Sequence, residues 1–101
     1  VMEEERREEE RVTVSLEVKW EGGSGNHTAR ISDISLGGCY LDTLGTAAPG
    51  EIISLTIKLP DGSLLKLRGE VAYQLHNLGF SVCFTFLTDE EQYRLTQLIN
   101  S

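Results

Sequence analysis

Over residues 11–21 the chain alternates. Val12, Val14, Leu16, Val18 and Trp20 fall on one face, and Thr13, Ser15, Glu17 and Lys19 on the other. This period of two predicts a half-buried strand. Gly22-Gly23-Ser24-Gly25-Asn26 follows as a flexible loop. Residues 27–34 form a second predicted strand, and Ser35-Leu36-Gly37-Gly38 turns the chain, with glycine available for a positive φ. A short third strand covers 39–43, and residues 44–50 are a loop. A fourth strand covers 51–59, where Ile53, Leu55, Ile57 and Leu59 alternate. Pro60-Asp61-Gly62-Ser63 has the composition of a hairpin turn. The fifth strand covers 64–75, His76-Asn77-Leu78 reverses it, and the sixth covers 79–87, with Phe80, Val82, Phe84 and Phe86 in phase.

The period then changes. Thr88-Asp89-Glu90-Glu91 is a capping box: the threonine hydroxyl caps the first turn and Glu91 reaches back. Tyr93, Leu95, Leu98 and Ile99 recur at helical spacing, so 88–99 reads as a short amphipathic helix laid over one end or face of the sheet. Six short strands at hairpin spacing, then one helix, predict an all-β fold: a six-stranded antiparallel β-barrel, closed or nearly so, with a C-terminal α-helix.

Composition narrows the partners. At 101 residues the chain is one domain, large enough for a core without disulfide staples. The net charge is −7, and the first ten residues, with six Glu and two Arg, contribute −4 of it. Residues 1–10 thus read as a charged segment ahead of a barrel domain over 11–101. Such a balance argues against DNA or RNA, whose interfaces depend on a broad cationic field. It leaves room for a small anion held by a few placed arginines. No apolar run approaches the roughly 18 residues of a membrane span, so no membrane insertion is expected. An acidic N-terminus is unlike a secretory signal. Val1 stands before Met2, as in an excised domain or a chain with a cloning remnant. Cys39 and Cys83 are 44 residues apart and match no zinc or redox spacing; they read as two small buried residues in a reducing cytoplasm. No cofactor and no metal is expected.

Two short motifs carry the chemistry. Arg7-Glu8-Glu9-Glu10-Arg11 is an RxxxR just ahead of the first strand, and Asp33-Ile34-Ser35-Leu36-Gly37-Gly38 is a DxSxxG at a strand-to-strand turn. Guanine offers the acceptors O6 and N7 on one edge, which fit the fork of an arginine. The other edge offers the donors N1–H and N2–H2, which fit an acceptor-only carboxylate. Arg7 or Arg11 together with Asp33 can therefore read one guanine from both edges, and adenine would put a donor opposite the arginine. A second arginine suits phosphate oxygens. Ser35 adds a hydroxyl donor, and Gly37 and Gly38 let backbone N–H groups approach an oxyanion. Each element has a plainer explanation: arginines paired with neighbouring glutamates, Asp33 and Ser35 capping the turn, and the two glycines making a hairpin.

The order and spacing of these motifs resemble those of PilZ domains, bacterial receptors for cyclic di-GMP. The likeness extends over nearly the whole chain, through Leu78-Gly79-Phe80-Ser81-Val82-Cys83-Phe84 to the closing helix. It implies a six-stranded barrel with a C-terminal helix and a cyclic di-GMP site on the barrel surface, where the RxxxR segment wraps over. The implied ligand contacts are Arg7, Arg11, Asp33, Ser35 and Gly38, with Gly37 beside them. Arg6, just ahead of the motif, implies a stacked pair of ligands instead of one. A non-catalytic, cytoplasmic bacterial receptor follows. Ligand would order the N-terminal segment and signal to a protein partner in motility, exopolysaccharide or biofilm control. Glu8, Glu9 and Glu10 are a departure: they compete for the arginines and are expected to weaken affinity.

Two other classes of protein compete with this reading. A PilZ-like interaction module that binds no nucleotide would have the same fold, but here both motifs are complete. An enzyme would need a nucleophile, a base and oxyanion donors. The chain offers His27 and His76, both read as exposed polar residues, and neither lies in a nucleophile motif. Tyr40, just past the DxSxxG turn, could stack near a base or pack on the outer face.

Overall fold

A computed structural model describes residues 11–74 and 79–100. Its strands are β1 (Val12–Gly22), β2 (Gly25–Ile34), β3 (Gly38–Asp42), β4 (Ile52–Lys58), β5 (Leu64–Gln74) and β6 (Phe80–Thr85), and its helix is α1 (Asp89–Ile99). All neighbouring strands pair antiparallel in the order β1-β2-β3-β6-β5-β4, and β4 pairs back onto β1 to close the barrel. The closing seam is short, Val18–Glu21 on Ser54–Ile57, so closure covers most of the sheet edge but leaves the first half of β1 without a β4 partner among the described residues.

The barrel interior is the alternating face anticipated from the sequence. Val18, Trp20, Ile31, Ile34, Leu41, Ile53, Leu55, Ile57, Val71 and Phe80 are all buried. Trp20 is 1% exposed and sits edge-on to Phe80, with ring centroids 5.2 Å apart. Its indole N–H donates to Thr43 Oγ1 at 3.2 Å, which satisfies its one polar atom. His27, read above as exposed, is instead half-buried and stacked on Trp20 at 4.3 Å. Ser24 Oγ donates to the Thr46 carbonyl, so towards His27 Nε2, 2.9 Å away, it acts as acceptor.

α1 begins as its sequence dictates. Thr88 Oγ1 accepts from the Glu91 N–H at 3.1 Å, and Glu91 Oε1 accepts from the Thr88 N–H at 2.9 Å. Leu95 is fully buried, and Leu98 and Ile99 pack against the core. Tyr93 points outward despite its place in the helical pattern.

Other expectations are corrected. The loop at 22–26 is a two-residue turn, because Gly22 already pairs with Gly25 across the β1–β2 hairpin. Cys83 is exposed, while Cys39 is buried and burial raises its thiol pKa, keeping it protonated. Phe86 does not continue the inward phase of β6. The strand stops at Thr85, and Phe86 takes φ 55° and lies 80% exposed.

Candidate functional site

The DxSxxG residues lie where β2 passes into β3. The Ser35 N–H donates to the Gly38 carbonyl at 2.8 Å and closes the turn. Ser35 is buried. Its Oγ accepts from the Gly37 N–H at 3.2 Å and lies 3.4 Å from the Gly38 carbonyl oxygen. The Gly37 carbonyl accepts from the Phe84 N–H at 2.9 Å, which ties the turn to β6.

Gly38 is needed for a different reason from the one read in the sequence. The glycines of the described residues with positive φ are Gly25, Gly50, Gly62 and Gly79. Gly38 instead packs directly on the Val82 carbonyl, with no space for a β-carbon. Its lack of a side chain lets β3 and β6 approach.

Asp33 is aimed outward by an irregularity in β2. Ala29 and Ile31 are buried, and strict alternation would bury Asp33 next. The pairing of β2 with β3 instead slips between Ile31 and Asp33, leaving Ser32 as the extra residue. A second slip, between Thr13 and Leu16, affects the β1–β2 pairing at the same level. After the bulge Ile34 is buried, and Ser32 and Asp33 are both half-exposed. Alternation alone gives no signal of this bulge. Asp33 stands between Thr13 of β1 and Tyr40 of β3.

Arg11 comes to this point from the start of β1, and its Nη1 donates to Asp33 Oδ1. The two side chains are 55% and 36% exposed. A surface pair of this kind is worth about 0–1 kcal/mol after solvent screening, so a ligand could divide it at small cost. The arrangement joins a guanidinium and a carboxylate, 22 positions apart in sequence, beside a tight turn with buried hydrogen bonds. Arg6 and Arg7, together with Glu8, Glu9 and Glu10, lie outside the described residues, as does His76. Among the described residues no group of three or more His, Cys, Asp or Glu side chains is placed to hold a metal, and no helix is long and apolar enough to cross a membrane.

The described residues thus form a closed six-stranded barrel with a C-terminal helix, bearing an exposed Arg11–Asp33 pair beside a glycine turn. The chain belongs to the PilZ domain family, whose profile matches residues 5–101. No curated relative matches the sequence. Among solved structures it is similar to the PilZ domain of CeSA from a cellulose-synthesizing bacterium, at 17% identity and TM-score 0.71, over 90% of this chain and 95% of that one. It is also similar to MotI/DgrA, the Bacillus subtilis inhibitor of motility, at 18% identity and TM-score 0.82, over 94% of this chain and 49% of that one. A third is YcgR from Escherichia coli in complex with cyclic di-GMP, at 14% identity and TM-score 0.79, over 94% of this chain and 45% of that one. The chain thus spans about half the length of the MotI and YcgR chains. Likeness at these identities is likeness of fold.

Proposed function

We propose that this chain is a cyclic di-GMP receptor and not an enzyme, with the ligand held by Arg6, Arg7, Arg11, Asp33, Ser35, Gly37 and Gly38. The observation that carries the reading is the meeting of Arg11 and Asp33 beside the 35–38 turn in a chain of the PilZ family. A guanine can replace each as the other's partner: its N1–H and N2–H2 donate to Asp33, and O6 and N7 accept from an arginine fork. The remaining arginines of the 6–11 stretch take phosphate oxygens, and Arg6 supports a second, stacked ligand. Ser35 braces the turn, and its long 3.4 Å approach to the Gly38 carbonyl leaves the hydroxyl proton weakly held. YcgR, solved with cyclic di-GMP, supports the choice of ligand.

Binding orders the segment ahead of Arg11 against the barrel, and the surface so formed signals to a protein partner in the bacterial cytoplasm. MotI, an inhibitor of motility, makes motility one candidate process, beside exopolysaccharide and biofilm control. Calorimetric titration with cyclic di-GMP, with cyclic di-AMP and GTP as controls, tests the reading. Heat is expected for cyclic di-GMP alone, with a stoichiometry that falls from two ligands to one in R6A. Binding retained by R11A and D33A at parental affinity would defeat the site assignment.

One observation favours a second reading, an interaction module that binds no nucleotide: Arg11 and Asp33 already satisfy each other, and Ser35 and Gly38 each have a structural reason to be there. A thermal midpoint that does not climb with cyclic di-GMP concentration would support it.

A further inference from the structure

Two irregularities meet at the end of β6. Phe86 takes a left-handed backbone conformation that bulky side chains rarely adopt, and it presents its ring to solvent. Immediately before it, Thr85 Oγ1 is buried with no hydrogen-bond partner among the described residues. A strained, solvated aromatic next to an orphaned hydroxyl gains nothing for the isolated fold, and strain of this kind collects at working surfaces.

The strands beside it carry cations that are unpaired among the described residues. Arg68 of β5 stands opposite Thr85, and Lys66, one step along the same face, stands opposite Thr56, which in turn faces Lys19 of β1. Lys58 is paired in register with Leu64, itself 54% exposed. All four cations are exposed, and among the described residues none makes an ion pair or side-chain hydrogen bond. Glu17 and Glu21 on β1, Glu70 on β5, and Glu90 and Glu91 at the start of α1 border this strip.

We infer that the outer face made by Phe86, Leu64, Lys66, Arg68, Lys58 and Lys19 docks a short acidic segment of a protein partner that carries an apolar side chain beside its carboxylates. Charge complementarity commits the face to an acidic occupant, on a chain whose own net charge is −7. The bordering glutamates would repel a continuous polyanion, so a nucleic acid or an anionic membrane fits less well than a segment placing one or two carboxylates. Lys66 and Arg68 are two residues apart on one strand, about 7 Å, which is the spacing of alternate side chains on an extended chain. Phe86 supplies the rigid aromatic anchor that such contacts use. The face gives the proposed receptor its output surface, but docking there needs no nucleotide.

Fluorescence anisotropy tests it on the full chain, using a labelled peptide of alternating Asp and Leu. Its Asn analogue, a single-stranded DNA of equal length and phosphatidylglycerol vesicles are the comparators. Saturable binding of the acidic peptide is expected, at least about tenfold weaker in K66E/R68E and in F86G, and absent for the Asn analogue. F86G is expected to raise the thermal midpoint at the same time, because glycine accepts the left-handed conformation; a lost contact is then distinguished from a lost fold. No peptide binding by the parent, unchanged binding in both variants, or equal binding of DNA or vesicles through Lys66 and Arg68 would overturn the inference. Titration of K66E/R68E with cyclic di-GMP separates the two proposals: retained nucleotide binding leaves the receptor reading standing whatever the peptide does.

Discussion

A β-carbon on Gly38 would stand 2.1 Å from the Val82 carbonyl oxygen. The obstacle is backbone of the neighbouring strand, so no side chain can swing away to relieve it. We expect G38A to prise β3 from β6 and to destabilise the domain by about 1–3 kcal/mol, the usual cost of overpacking. Urea denaturation checks this. A midpoint within error of the parent would mean that the turn shifts freely, and that Gly38 has no structural duty separate from any ligand.

Arg11 and Asp33 should behave oppositely. Their pair is largely solvent-exposed, so R11A and D33A are each expected to change stability by less than about 1 kcal/mol. Cyclic di-GMP binding should be lost in both. Circular dichroism melts and calorimetry on the same samples give the comparison, and a variant that loses binding only because it unfolds would be exposed by the melt.

Glu51 ties the β3–β4 connection to the β1–β2 hairpin, at the end of β2 away from the 35–38 turn. Its Oε2 accepts from the Gly23 N–H at 2.6 Å and its Oε1 from the Ala48 N–H at 3.0 Å. These two bonds, the Gly23 bond foremost, hold its pKa below the ordinary 4.5. A depressed folded-state pKa gives stability that is complete above the unfolded value and disappears as pH falls through the folded one. The stability gap between the parent and E51Q should therefore narrow on going from about pH 7 to about pH 3. Urea midpoints at the two pH values decide it; a gap that widens in acid would contradict the assignment.

The helix can be loosened at its first turn alone. T88A removes the hydroxyl that receives the Glu91 N–H, and we expect a loss of about 1 kcal/mol, with T88S restoring most of it. L95A, which empties a fully buried position, should cost about 2–5 kcal/mol. If T88A and L95A proved equally mild, the helix would not be an integral wall of the barrel.

Much of the architecture was legible because each strand declares itself by alternation. The observed bounds of β1, β3, β4 and β5 lie within one residue of those read from periodicity, and the capping box marks the helix start. What alternation missed lies where the ladder departs from its regular step. The Ser32 bulge brings Asp33 to the surface, although Ile31 two residues before it is buried. Phe86 leaves the inward phase because β6 ends one residue before it. Cys83 was misjudged by composition, which treats a free cysteine as a small buried residue and cannot tell which face of a strand it occupies. The meeting of Arg11 with Asp33 needs the β1–β2 pairing, a register that the motif spacing alone leaves open.

The seam between β1 and β4 closes the barrel, and its interior is filled by large side chains such as Trp20, Phe80 and Leu55. Among the described residues every strand of that drum belongs to the closed order. Whatever seats on its wall meets paired strands over a filled interior, so bending that wall would cost backbone pairing and core packing. Chain attached at the rims has no such pairing to break, so the reach of a response carried there follows from the length and stiffness of that chain.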